Sequence, residues 1–161
     1  TRSMERISKA PSDCSKEELD TFERLVIAGG EVSPEGLRQR IQRAEKLIFI
    51  YDGECVAIGA IKKPNAGYKA GVFKKSKVTE QREYKHELGW LYVSSAARGK
   101  GYGRALMEAI KELLAETPCF ATTREDNEPM HYLFSQFGFS RLGQPYKSQN
   151  GDYLLTLYAR S

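Results

Sequence analysis

Glu87-Leu88-Gly89-Trp90-Leu91-Tyr92-Val93-Ser94-Ser95-Ala96-Ala97-Arg98-Gly99-Lys100-Gly101-Tyr102-Gly103-Arg104-Ala105-Leu106 joins two strong local signals by a short polar corner. Its first seven residues are rich in β-formers and predict a strand that ends at Val93. Ala105, Leu106, Ala109, Ile110, Leu113 and Leu114 recur at helical spacing, which predicts a helix from near Tyr102 to about Glu116, with Pro118 marking its end. Between them, three alternating glycines let the backbone turn sharply and approach a ligand without interference from Cβ atoms. The N–H groups of this corner, with the donors and dipole of the first helical turn, form an anion pocket. Arg98, Lys100 and Arg104 add positive charge, so the predicted ligand is a phosphate or pyrophosphate.

Spacing separates the competing phosphate-binding turns. A triphosphate loop needs G-x-x-x-x-G-K-[ST], and no Lys-Ser or Lys-Thr follows a glycine here at that distance. A dinucleotide turn needs G-x-G-x-x-G, whereas Gly99-x-Gly101-x-Gly103 continues into Arg104 and Ala105. The pattern that fits is [QR]-x-x-G-x-[GA], filled by Arg98, Gly101 and Gly103.

Working outward, Ser15-Lys16-Glu17-Glu18 is a capping box, which predicts a helix to about Ala28, stopped by Gly29-Gly30. Ser33-Pro34-Glu35 opens a second helix with Leu37, Ile41 and Ala44 as its inner stripe. Leu47–Tyr51 and Cys55–Ile61 read as antiparallel strands joined at Asp52-Gly53. Cys119–Thr123 is a short strand, and Asp126 or Asn127 caps a helix carrying Met130, Leu133, Phe134 and Phe137, closed by Gly138. Phe139–Gly143 and Tyr153–Tyr158 supply the last strands, joined around Asn150-Gly151. The order predicts a mixed α/β (α+β) domain spanning residues 1–161 rather than a bundle or a sandwich. Met4 reads as the natural start, with residues 1–3 derived from a vector.

This chain resembles the GNAT superfamily of acyl-coenzyme A-dependent N-acetyltransferases. The stretch from Glu87 to Leu106 is similar to that family's central strand, pyrophosphate turn and helix. Asn127-x-x-Met130-x-x-Leu133-Phe134-x-x-Phe137-Gly138-Phe139 is similar to its N-x-x-A-x-x-L-Y-x-x-x-G-F helix. The resemblance implies a central, mixed, mostly antiparallel sheet flanked by helices, and acetyl-CoA as cosubstrate. It implies that Leu91, Tyr92 and Val93 pair through their backbone with the pantetheine arm. It further implies that the amides from Arg98 through Gly99, Lys100, Gly101, Tyr102 and Gly103, with Arg104, hold the diphosphate. Asn127 would meet the pantetheine, or else act only as a helix cap.

The acceptor of such an enzyme is an amine. With a pKa of about 10.4, fewer than about one lysine-like amine in a thousand carries a free lone pair at neutral pH, so a base is needed. Glu87 lies eleven residues before Arg98, the offset of a catalytic glutamate in histone-acetylating members of the family, and is the candidate base. The alternative is a surface or salt-bridged glutamate. Glu83 and His86 are weaker stand-ins, because strand alternation sets His86 on the opposite face. Backbone N–H groups near Val93 are the expected oxyanion donors. The tyrosine that often protonates the leaving thiolate is Phe134 here; Tyr132 should point elsewhere, which leaves Tyr146 or no dedicated acid. His131 reads as a surface histidine. Trp90, Tyr92, Tyr68 and Phe73 could line an acceptor pocket, although Trp90 and Tyr92 are more simply core residues.

Charge and composition narrow the rest. Formal charge is +4, yet Lys62 to His86 alone carries eight basic residues, Lys62, Lys63, Lys69, Lys74, Lys75, Lys77, Arg82 and Lys85, against Glu80 and Glu83. That basic loop is either a solvated segment or a contact for an acidic partner, nucleic acid included. Three scattered cysteines, Cys14, Cys55 and Cys119, suggest neither a disulfide framework nor a metal site. No apolar run approaches a membrane span, and no secretory signal is visible, so the cytoplasm is the expected location. The rival to an active enzyme is a module of the same fold that binds acyl-CoA or a partner without catalysis. Relatives often pair, so a homodimer is compatible with the reading.

Overall fold

The computed structural model describes residues 4–30, 32–79 and 84–161. Residues 1–3, Glu80 and Arg82 of the basic segment, and Glu83, the weaker candidate base, lie outside the described residues. Seven strands hydrogen-bond in the order β1-β2-β3-β4-β5-β7-β6. Of the described pairings, β4 with β5 is parallel and the rest are antiparallel. This mixed, mostly antiparallel sheet with accompanying helices is the expected fold class. The chain divides into two compact units, residues 1–62 with 89–113, and residues 63–88 with 114–161.

In the first unit, β1 (Glu5–Lys9) pairs with β2 (Lys46–Asp52), and β2 pairs with β3 (Glu54–Lys62) around Gly53. Leu47, Ile48, Phe49 and Ile50 are all fully buried, as expected of a strand covered on both faces. Helix α1 (Lys16–Ala28) starts in the predicted capping box, with Ser15 Oγ accepting from Glu18 N–H and Glu18 accepting from Ser15 N–H at 2.8 Å. It lays Leu19, Phe22, Leu25 and Val26 into a core shared with Leu37 and Ile41 of α2 (Leu37–Gln42). Helix α2 starts later than Ser33-Pro34 suggested: Gly36, with φ of 70°, is its cap. Helix α4 (Tyr102–Leu114) packs tightly in this unit, since a Cβ on Gly59 of β3 would stand 2.8 Å from the Leu91 side chain and 3.3 Å from that of Leu106. It ends two residues before the expected Glu116.

In the second unit, the start of β4 (His86–Val93) pairs with β5 (Cys119–Arg124), β5 with β7 (Leu154–Arg160), and β7 with β6 (Ser140–Lys147). Strand β6 runs past the expected Gly143, with a register shift between Leu142 and Tyr146. Helix α5 (Glu128–Gln136) buries Phe134 against Phe139 and Tyr158. The basic segment is not a plain loop: Ala66–Lys75 forms helix α3. Asn65 Oδ1 accepts from Tyr68 N–H at 2.7 Å and starts the helix, while Val72 and Phe73 anchor it to Tyr84 and Phe120.

Candidate active site

The glycine corner belongs to the first unit. Strand β4 leaves through Ser94, whose N–H donates to Val56 O at 2.8 Å, and a short 3-10 turn over Ser95–Ala97 follows. Gly99 and Gly101 then take φ of 80° and 83°, conformations that side chains resist. A Cβ built at either would meet nothing within 4 Å, so the surface above the corner is open. Tyr102 begins α4 with its ring buried and its hydroxyl donating to the Asp52 carboxylate, which pins the helix start to the β2–β3 hairpin. The first helical bond closes from Ala105 N–H to Gly101 O at 3.1 Å. The N–H groups of the turn before it are those a helix leaves without an intrahelical acceptor. Gly103 and the exposed Arg104 lie in that turn, and Arg98 and Lys100 are exposed beside it.

Leu91, Tyr92 and Val93 are half-buried at the end of β4. Leu91 packs on Gly59, and Trp90 and Tyr92 pack on the first unit's core. The Val93 carbonyl accepts from Arg98 Nε at 3.3 Å and has a second lone pair for a further donor. Trp90 interrupts the strand conformation with φ of 52°.

Glu87 lies in the second unit, opposite Phe120 in the parallel pairing, with 4% of its surface exposed. The surface-glutamate alternative therefore does not hold. Tyr68 of α3 donates its hydroxyl to Glu87 Oε2 at 2.7 Å. Burial of that hydroxyl, then the Glu87 charge, keeps the phenol far above the ordinary tyrosine range. Tyr146, the candidate acid, is pushed up to about 12 by burial and then by Glu87. The Cys119 thiol is raised to about 12, mainly by burial.

Among the other residues singled out from sequence, Phe73 is a core residue, Phe134 is fully buried and Tyr132 is 59% exposed. Asn127 caps α5, its Oδ1 accepting from Met130 N–H at 3.2 Å. His131 is not a surface histidine: its ring lies against Tyr158 and both nitrogens have partners. Tyr68 was legible only as a pocket aromatic; its role as the partner of Glu87 depends on a helix whose two glycines hid it. Of the lysines there, Lys69 Nζ donates to Tyr84 O at 3.2 Å and Lys75 Nζ lies 6.0 Å from the Tyr146 ring centre. Among the described residues no helix is long and apolar enough to cross a membrane.

Residues 13–139 match the model of the acetyltransferase (GNAT) family. Among solved structures, the chain is similar to an acyl-CoA N-acyltransferase from Pseudomonas aeruginosa, with 18% identity, TM-score 0.70, and coverage of 99% of this chain and 100% of that one. It is similar to ElaA from Escherichia coli at 19% identity and TM-score 0.71, with the same coverage. It is also similar to yncA from Salmonella typhimurium, solved with acetyl-CoA, at 15% identity and TM-score 0.65, covering 98% of this chain and 92% of that one. At these identities the structural likeness speaks to the fold. Among curated proteins, none matches.

Proposed function

Because the chain belongs to the acetyltransferase (GNAT) family, an acyl-CoA-dependent group of N-acyltransferases, we propose that it moves the acetyl group of acetyl-CoA to an amine by direct attack, with Glu87 as the proton acceptor. The acceptor amine is carried by a small molecule or a protein, and residues 1–161 act as one domain of the family. The observation that carries the reading is the open corner at Gly99 and Gly101 at the head of α4, where a helix N-terminus with its main-chain donors and dipole adjoins open space.

Bound acetyl-CoA supplies a thioester that a neutral amine can attack. The amides of residues 98–103 hold its diphosphate, with Arg98, Lys100 and Arg104 adding charge. Leu91, Tyr92 and Val93 offer backbone groups to its pantetheine arm. Asn127, whose Oδ1 caps α5, is the further residue proposed to meet the pantetheine. Glu87 takes the proton that the attacking amine must lose; a buried carboxylate with one oxygen held by Tyr68 is suited to that task. Tyr146 is neutral at physiological pH and can supply a proton to the leaving thiolate.

The test is thiol release from acetyl-CoA with a panel of polyamines, amino acids and peptides, beside calorimetric titration with acetyl-CoA alone. Binding with turnover that falls at least tenfold in Glu87→Gln supports the reading. Binding without turnover on any acceptor turns it into a non-catalytic acyl-CoA module, and absence of binding by folded protein removes it.

A further inference from the structure

We propose that Tyr68 is a positioning residue: through its hydroxyl, helix α3 holds Glu87 as an oriented, ionised carboxylate. This rests on the reading of Glu87 as proton acceptor. A carboxyl group with only 4% of its surface exposed is pressed toward its neutral form by loss of water, and a neutral acid cannot take a proton. A donor on one of its oxygens works in the other direction, because it favours the charged form. The Tyr68 hydroxyl is that donor, at 2.7 Å from Oε2.

The placement of Tyr68 is built. It is the third residue of α3, and its own N–H is taken by Asn65 Oδ1, so the first turn of the helix is tied down at the point from which the ring projects. Further along the same helix, Val72 and Phe73 are 5% and 1% exposed in the second unit's core and fix the helix axis. Tyr68 itself is 43% exposed, which a ring serving only to fill space would not be. Its outer edge meets solvent while its hydroxyl meets the carboxylate.

Among the titratable groups facing Glu87 within this unit are Tyr68 from α3, Tyr146 from β6 and Cys119 from β5. All three are neutral near pH 7, and of the three it is Tyr68 whose hydroxyl donates to the carboxylate.

The experiment is a carboxyl 13C NMR titration from pH 3 to 9 of protein labelled at glutamate, with Glu87→Gln identifying the resonance. In Tyr68→Phe the Glu87 midpoint should rise by about one pH unit. Asn65→Ala, which loosens the helix start without touching the ring, should move it the same way by less. An unchanged midpoint in folded Tyr68→Phe overturns the proposal. With the best acceptor of the amine panel, Tyr68→Phe should shift the acidic limb of kcat/KM upward by the same amount, with KM for acetyl-CoA changed less than twofold. The same substitution should add no further loss in the Glu87→Gln background. A loss of equal size in both backgrounds would mean a merely structural role and also overturns it. Wild-type turnover by Glu87→Gln would instead defeat the base reading, a result distinct from the midpoint measured by NMR.

Discussion

The Lys62 ammonium lies 4.3 Å from the centre of the Trp90 ring, over the residue at which β4 enters the left-handed region. A bulky side chain in that conformation costs roughly 1–2 kcal/mol, so its surroundings must hold it there. Phe22 meets the indole edge-on at 6.0 Å, and the Lys62 stem runs over Gly89, where a Cβ would stand 2.7 Å from Lys62 Cδ. Lys62→Met should therefore lower stability by about 0.5–1 kcal/mol through the lost cation–π contact. Gly89→Ala should cost a similar amount by displacing the same stem. Urea unfolding of both variants and their double should show a combined loss smaller than the sum, because the two changes remove one contact.

The glycine corner predicts a separation of binding from folding. With acetyl-CoA at about 100 times its Kd, linkage adds about 2.7 kcal/mol, which for a chain of this length raises Tm by about 5–10 °C. Gly101→Val forces a branched side chain into φ of 83° and fills space above the corner, so the shift should disappear while the protein still melts cooperatively. Gly71→Ala is the contrast. Gly71 sits inside α3 with nothing within 4 Å of its missing Cβ, so alanine should gain up to about 1 kcal/mol of helix propensity and leave the acetyl-CoA shift intact.

The cap of α1 predicts a pH-dependent stability. Glu18 is held below the usual glutamate range first by the Ser15 N–H and then by Lys9, whose Nζ lies 2.9 Å from Oε2. A carboxylate depressed in the folded state stabilises it at pH values above its unfolded pKa, and that contribution is lost as pH falls through the folded value. Glu18→Gln should thus cost about 1 kcal/mol at pH 7 and distinctly less at pH 3, measured by urea unfolding at both. An equal cost at both pH values would show that the charge of Glu18 is not what matters.

Where local signals were strong, sequence and structure agree: Ser15 and Glu18 close the box that starts α1, Gly53 sits between β2 and β3, and Asn127 starts α5. Strand β1 was invisible because Glu-Arg-Ile-Ser-Lys holds one apolar residue, and its strand state comes from pairing with β2, a tertiary effect. Helix α3 was hidden for a related reason: Gly67 and Gly71 lower its propensity, and what holds it is the burial of Val72 and Phe73. At the site, the corner at Gly99 and Gly101 could be read from spacing, since backbone geometry there is dictated by residue type. The Tyr68–Glu87 bond could not, because the two residues are brought together by a helix that sequence did not disclose.

His131 supplies the last prediction. Its Nε2 faces two acceptors, Arg124 O at 3.1 Å and Glu125 O at 3.0 Å, so Nε2 carries the proton and donates, and Nδ1 accepts from the Tyr158 hydroxyl at 2.5 Å. The ring thereby ties α5 to the end of β5 and to β7, at the point where the chain turns into the Asn127 cap. His131→Phe keeps the ring volume but takes this partner from the Glu125 carbonyl and the Tyr158 hydroxyl, while the Arg124 carbonyl still accepts from Asn127 N–H at 3.0 Å, and it should cost about 1–3 kcal/mol. Tyr158→Phe removes a single oxygen and keeps both carbonyl bonds, so it should cost less, near 1 kcal/mol. Urea unfolding of the two variants gives the ranking. A His131→Phe protein as stable as the parent would mean that water satisfies the carbonyls equally well and that the histidine is no fastening of α5.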